Sequence, residues 1–448
     1  MIEDFIAKLG KVNPERIAII VGDNELSYGE LLKMIKEIYD YLSNSIDRKK
    51  VVVIHGDYSF NAIALTFALS KLDCVLIPVV TTNKTEIEKK IEVAGPDYIL
   101  DSRDLSLIQV DKYGKEKTPL YRDLFASDKS GLVLFSSGST GEPKAMVHDM
   151  DNLIRTYLDN KTKQLTFIVF LMFDHIGGLN TMLNILAMGS TMIIPDKRDP
   201  HLIGELIQKY NVNVLPASPT FLNMMSISGV FDAYNFSSLK LVTYGTEPMA
   251  ERLLRTLKEK LPRTRLIQTF GTSETGIIKT KSKSSTSLLM KFDDENQEVK
   301  IVDNELWIRS KTRVLGYLNH GGQSFDTDGW FKTGDLVEEK EDGYYRIIGR
   351  KSEIINVGGE KVLPGEVENV ILELDYIQDC AVFAKESPIV GQVVAVRVVL
   401  TSRIPEIGNV KNAIRSYCRG KLEKYKVPAV VIVADSVEYS SRFKKKRK

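Results

Sequence analysis

A chain of 448 residues is too long for one ordinary hydrophobic core and calls for two or three domains. Its 43% hydrophobic and 27% charged residues are those of a soluble globular protein, and the near balance of 61 basic against 59 acidic residues gives no electrostatic case for nucleic acid. Three scattered cysteines, Cys74, Cys380 and Cys418, exclude a disulfide framework or a cysteine zinc site, and the five dispersed histidines form no ligand pair. The N-terminus lacks a basic-then-apolar leader, and the longest apolar run, Leu165 to Phe173, is too short for a membrane span. These features predict a soluble protein of the cytoplasm.

In chain order, Ser27 and Glu30 form a capping-box pattern, and Leu31, Ile35, Ile38 and Leu42 recur at helical spacing behind it. A β-branched strand at Val51–Ile54 leads to a helix at Asn61–Lys71, a strand at Cys74–Val80, a helix at Thr85–Val93 and a strand at Tyr98–Leu100. The same alternation resumes with strands at Thr166–Met172, Thr191–Ile194, Val212–Leu215, Leu239–Tyr244 and Arg265–Thr269. Helices at Met182–Met188, His201–Tyr210 and Ala250–Leu261 separate them. Such alternation predicts an α/β fold of doubly wound, mostly parallel sheets, in which ligands gather at the carboxyl ends of strands. Beyond Lys279 the pattern changes to short alternating strands, with Asp303-Asn304 as a hairpin turn, predicting a small antiparallel β-barrel or sheet. A boundary near Lys351 divides the chain into a large region, 1–350, and a small α+β domain, 351–448.

The stretch Phe135-Ser-Ser-Gly-Ser-Thr-Gly-Glu-Pro-Lys144 follows the short apolar strand Leu132–Leu134. Its glycines let consecutive amides converge on an anion, its hydroxyls add donors, and Lys144 adds a mobile charge. That is the make-up of a phosphate-holding loop, with a Ser/Gly-rich linker as the alternative. It lacks the G-x-x-x-x-G-K-[ST] spacing, and Pro143 blocks the helix that the Walker motif requires.

Phe270-Gly271-Thr272-Ser273-Glu274, Glu305–Ile308 through Gly316-Tyr317-Leu318, Thr333-Gly334-Asp335, Tyr345–Arg350 with Gly358-Gly359, and Lys424–Pro428 with Lys444 follow that loop in order. With this series the chain resembles the adenylate-forming (AMP-binding) superfamily of acyl-CoA synthetases, peptide-synthetase adenylation domains and luciferases. The resemblance implies that a carboxylate is joined to the α-phosphate of ATP, releasing pyrophosphate, and that a pantetheine thiol then takes the acyl group. It implies ATP and Mg²⁺, with CoA or carrier-protein phosphopantetheine as acceptor. A fatty or aryl acid is the favoured substrate.

By the same resemblance, Ser136, Ser137, Gly138, Ser139, Thr140, Gly141 and Lys144 would hold the β- and γ-phosphates. Glu274 would bind Mg²⁺ and Ser273 would reach the α-phosphate, with Gly271 and Thr272 beside them. Asp335 and Arg350 would meet the ribose. Tyr244, Gly245, Thr246 and Glu247 would border the adenine and acyl pockets, with Phe270 offering an aromatic face to the base. His175 would line the acyl pocket, with neighbouring Asp174 supporting it. Gly358 and Gly359 would admit the pantetheine arm, and Ser352 would be the hinge of a mobile C-terminal domain. Lys444 would be the adenylation lysine, although Phe443 stands where the family usually has glycine and four lysines crowd the last five residues.

Blander alternatives exist for single residues: a solvated carboxylate for Glu274, a turn residue for Asp335, a structural histidine for His175, a basic tail for Lys444. The rival functions are a stand-alone amino-acid-adenylating module, with Asp174 as the amine anchor, and a non-enzymatic nucleotide-binding homologue.

Overall fold

The computed structural model describes residues 1–110, 117–137, 142–319, 325–401, 409–440, 443 and 445–447, with the backbone alone for Ser137. Helix Tyr28–Ser45 starts on the expected cap. Ser27 Oγ accepts the Glu30 amide at 3.2 Å, and the Glu30 carboxylate accepts the Ser27 amide at 2.7 Å. This satisfies two otherwise orphaned donors and fixes the helix so that Leu31, Ile35, Ile38 and Leu42 enter the core.

Two seven-stranded sheets form the large domain. One runs Arg265–Gln268, Leu241–Tyr244, Val214–Ala217, Thr166–Ile168, Thr191–Ile194, Ile17–Val21, Asn24–Ser27, parallel except for the last edge pair. The other has Val75–Val79, Val51–His55 and Tyr98–Asp101 in parallel at its centre, continuing through Gly131–Ser137 to Pro143–Asp149. Strands such as Val51-Val-Val-Ile54 are buried on both faces, as a sheet covered on both sides requires. Helix Phe60–Lys71 lies between the sheets and is buried on every side from Ala62 to Ser70, within the largest core cluster.

Downstream, a six-stranded antiparallel sheet includes Gln297–Val302 and Glu305–Ser310, joined at Asp303-Asn304. Both turn residues take positive φ, +50° and +63°, which matches the twist of the flanking strands. A single turn, Lys351–Glu353, leads into the small C-terminal domain, whose sheet (Ile355–Val357, Glu360–Val362, Gly391–Leu400, Ile377–Ser387, Val430–Val433) closes a core of its own with helices Pro364–Ile371 and Val410–Arg419. Among the described residues no helix is long and apolar enough to cross a membrane, and the three cysteines are buried free thiols.

Candidate active site

Four loops leave the carboxyl ends of neighbouring strands of the first sheet: Val169–His175 after Ile168, Ser218 after Ala217, Gly245–Glu247 after Tyr244, and Thr269 after Gln268. Tight packing holds the third in place. A Cβ on Gly245 would lie 2.7 Å from the Thr269 carbonyl oxygen, so a side chain there would separate the two loops. Thr246 next to it adopts φ +72°, a costly conformation for a β-branched residue. The Glu247 carboxylate accepts the Thr220 amide at 2.6 Å and fastens this loop to the start of helix Pro219–Ile227.

Two paired strands bound the loop at Ser136. Gly131–Ser137 pairs antiparallel with Pro143–Asp149, and Ser136 stands opposite Lys144 at its base. Pro143 excluded a helix at this point, and a strand takes its place. Gly138, Ser139, Thr140 and Gly141, expected to cradle phosphate, lie outside the described residues, as does the Ser137 side chain.

Ser273 and Glu274 sit in the turn between strands Phe270–Thr272 and Gly276–Ile278. Thr272 ties that turn together: its hydroxyl accepts the Thr275 amide at 3.1 Å and pairs with the Thr275 hydroxyl at 2.9 Å. Glu274 Oε1 accepts from the Tyr317 hydroxyl at 3.3 Å. Burial pushes the Glu274 carboxyl above the usual glutamate range, while Tyr317, Arg350 and Lys144 pull the other way. Among the described residues no three His, Cys, Asp or Glu side chains converge on a metal cage. A single partly buried carboxylate that gains from added positive charge fits Mg²⁺, which keeps most of its coordination for water and phosphate oxygens.

Asp335 and Arg350 face each other across adjacent strands in a forked pair, Nε to Oδ1 2.8 Å and Nη2 to Oδ2 3.4 Å. Phe270, expected to offer an aromatic face to the base, is 8% exposed, and its ring meets Phe292 edge-on at 5.9 Å in the core of the antiparallel sheet.

His175 caps helix Ile176–Ala187, its Nδ1 accepting the Gly177 amide at 3.0 Å. The helix begins earlier than its apolar pattern suggests because Gly177-Gly178 belongs to its first turn. A Cβ on Gly178 would lie 2.2 Å from the Met172 carbonyl oxygen. Asp174 is buried, with its Oδ2 3.6 Å from the ammonium of buried Lys90, an internal cation that already answers the carboxylate.

From the C-terminal domain, Gly358 and Gly359 form the exposed turn between Ile355–Val357 and Glu360–Val362, with φ +61° and +97°. Ser352 lies in the interdomain turn. Its neighbours are held on both sides, Lys351 by Glu305 at 3.2 Å and Glu353 by Arg447 at 3.0 Å. Lys444 lies outside the described residues, but the chain on either side of it is anchored. Phe443 packs on Phe170 and Phe221 of the large domain, with ring centroids 5.3 Å from each. Lys445 Nζ reaches Asp379 Oδ1 at 2.7 Å and the Cys380 carbonyl at 2.8 Å. Burial works against the Lys445 charge, and Asp379 and Glu368 more than offset it. Arg447 forks onto Glu368.

Between the domains lies a cavity of about 420 Å³, bordered by Thr220, Glu247, Arg252, Gln378, Lys445 and Arg447 among others. Tyr317, Ser218, Asp379 and Glu368 were not singled out for these contacts from sequence. Their partners are between 43 and 225 positions away, beyond the reach of any local pattern.

Residues 7–318 match the AMP-binding enzyme family, and residues 366–444 match the AMP-binding enzyme C-terminal domain. The chain belongs to the AMP-binding enzyme family. It is an adenylate-forming ligase. It is 24% identical to an indoleacetate–CoA ligase of Aromatoleum aromaticum over 97% of this chain and 94% of that protein. It is 23% identical to a 2-succinylbenzoate–CoA ligase of Listeria monocytogenes, over 97% and 96%. Among solved structures, an anthranilate CoA ligase in complex with anthranoyl-AMP superposes with a TM-score of 0.84 at 18% identity, covering 99% of this chain and 95% of that one. The o-succinylbenzoate CoA synthetase of Bacillus subtilis with ATP and magnesium ion superposes with a TM-score of 0.77 at 20% identity, covering 99% and 98%.

Proposed function

We propose that this ligase activates an aryl carboxylic acid with ATP and Mg²⁺ and transfers the acyl group to the thiol of CoA. The observation that carries the reading is the gathering of Tyr317, Arg350 and Lys144 around the partly buried Glu274 carboxylate, beside the Asp335–Arg350 fork. That set answers a triphosphate and a ribose together. In the first step a carboxylate oxygen attacks the α-phosphorus and the bond to pyrophosphate breaks. In the second, the thiol sulfur attacks the acyl carbon, the bond to AMP breaks, and the thiol proton leaves to solvent.

Both steps bring anions together, so positioning and charge neutralisation carry most of the catalysis. Ser136 and Lys144, with Ser137 to Gly141, hold the departing pyrophosphate. Ser273 donates to the α-phosphate, and Lys444 bridges the carboxylate and that phosphate. Asp335 accepts from the ribose hydroxyls while Arg350 steadies it. Glu274 would hold Mg²⁺, which would supply neutralisation of phosphate charge. Gly358 and Gly359 let the pantetheine arm pass close to the backbone.

The acid class follows from two supports. The relatives above are named for aryl acids, and Asp174, which an amino-acid-activating enzyme would need for the substrate amine, is engaged by Lys90. The buried free thiols suit a reducing compartment such as the cytoplasm. A screen of aryl, fatty and amino acids by ATP–pyrophosphate exchange, followed by mass detection of the thioester with CoA or holo-carrier protein, tests the reading. Aryl-CoA is the expected product; exchange with amino acids alone, or a thioester on carrier protein alone, contradicts it.

A further inference from the structure

The described residues Glu438 to Ser440 run antiparallel to Lys445 and Lys446 as the legs of a short hairpin. Tyr439 bridges to Lys445, the Lys446 amide bonds the Glu438 carbonyl at 2.9 Å, and the Phe443 amide bonds the Ser440 carbonyl at 3.0 Å. The legs of this hairpin belong to the C-terminal domain. Lys445 and Tyr439 both bind the 2%-exposed Asp379, and Arg447 binds Glu368. Its tip, however, enters the large domain. The Phe443 ring joins Phe170 and Phe221, themselves 4.3 Å apart and fully buried, to complete an aromatic trio. The Phe443 carbonyl accepts from the Ser218 hydroxyl at 3.2 Å, and the same hydroxyl accepts the Phe221 amide.

Phe443 achieves this with φ +52°, in the left-handed region where a bulky residue is strained. A strained backbone survives only where surrounding contacts outweigh it. Here the contacts of the ring and of the carbonyl cross the domain interface. The residue just before Lys444 is thus held by one domain and the residue just after it by the other.

We propose that Phe443 is a positioning residue. Its ring is an anchor that seats the hairpin tip in the large domain, and so fixes the domain arrangement in which acid activation takes place. The proposal rests on the reading of Lys444 as the adenylation lysine. The ring contributes nothing to thioester formation, which uses the acyl adenylate already made, so its removal separates the two half-reactions.

The test uses the full chain with Phe443→Asn, which tolerates positive φ but removes the ring, and Phe443→Leu, which keeps apolar volume at the same backbone cost. Spin labels at Glu259→Cys and Lys385→Cys, both exposed positions and one in each domain, report the arrangement, because the native thiols are buried. For Phe443→Asn the expected result is an exchange kcat about tenfold or more lower with the ATP KM within about threefold, thioester formation from supplied acyl adenylate within about twofold, and a broadened label distance. Phe443→Leu should restore exchange to within about threefold and narrow the distance again. Unchanged exchange with an unchanged distance in Phe443→Asn overturns the proposal. So does lost exchange at an unchanged distance, since the ring would then act on the site itself. A broadened distance with exchange intact upholds the anchor and removes Lys444 from acid activation.

Discussion

The large-domain wall of the site, Ser218, Gly245–Glu247 and Thr269–Glu274, is carried on or just beyond adjacent strand ends and held by backbone packing. The facing C-terminal wall, Tyr439, Phe443, Lys445 and Arg447, is held by side chains: one aromatic wedge in the large domain, and the Lys445–Asp379 and Arg447–Glu368 ion pairs in the small one. The contacts that fasten the first wall's loops lie within the large domain. The difference teaches that substitutions on the two walls should fail in different ways. Changes near Glu274 alter the chemistry in place, whereas changes near Phe443 and Asp379 alter whether the second wall is there at all.

The sharpest break is Lys444→Ala. Adenylation should fall by about 10²–10³-fold, the cost of losing one charge aimed at the developing transition state, while thioester formation from supplied acyl adenylate is retained. Half-reaction kinetics read both. If exchange survives, a neighbouring lysine does the work.

Asp379→Asn attacks the support of the second wall. It leaves the Lys445 ammonium buried against a neutral amide, which should cost about 3 kcal/mol or more in denaturant unfolding of the small domain. Exchange should fall with it, because the hairpin leg is released. A stability unchanged within about 0.5 kcal/mol would mean the pair is not what holds the leg.

Glu274→Gln acts on the first wall and should reduce exchange by about 10–100-fold and weaken the Mg²⁺ dependence, with the domain arrangement intact. Burial raises the Glu274 pKa, so the carboxylate proposed to hold Mg²⁺ is lost at a higher pH than for an ordinary glutamate. The wild-type exchange profile should carry an acidic limb above the usual glutamate range, and the glutamine variant should lack it. Identical profiles would take Glu274 out of the metal site.

A last effect lies in the second sheet, away from both walls. His148 on strand Pro143–Asp149 is fully buried, and its ring nitrogens have no partner among the described residues. Burial lowers its pKa from 6.5 to about 4. The unfolded chain therefore binds the extra proton first as the pH falls. Stability contributed by neutral His148 is full above about pH 6.5 and is lost toward pH 4, by up to about 3 kcal/mol. His148→Leu should flatten the unfolding free energy over that window, and an equal slope in both proteins would contradict this.

Much of the large domain's framework was legible in the chain, because its signals are local. The Ser27–Glu30 capping box, the Asp303-Asn304 turn and the strand Thr191–Ile194 each follow from a few consecutive residues. Other elements were hidden by competing signals. The helix expected at Met182–Met188 starts earlier, at Ile176, because Gly178 fits against the Met172 carbonyl in its first turn. Pro143 read correctly as excluding a helix, yet it opens an edge-side strand that Gly131–Ser137 pairs with. The expected strand Thr166–Met172 stops at Ile168, where the chain turns toward His175. The second wall was nearly invisible, since Phe443 with Phe170 and Phe221, and Lys445 with Asp379, are contacts between distant segments. Four clustered lysines showed a basic tail, and nothing in their spacing told which were buried and paired.

The central claim is that the acid attacks the α-phosphorus of ATP, and isotope transfer tests it most directly. An aryl acid labelled with ¹⁸O in its carboxylate, turned over with ATP, Mg²⁺ and CoA, should deliver one labelled oxygen to AMP, with unlabelled pyrophosphate. Label appearing in inorganic phosphate alongside ADP would contradict the account.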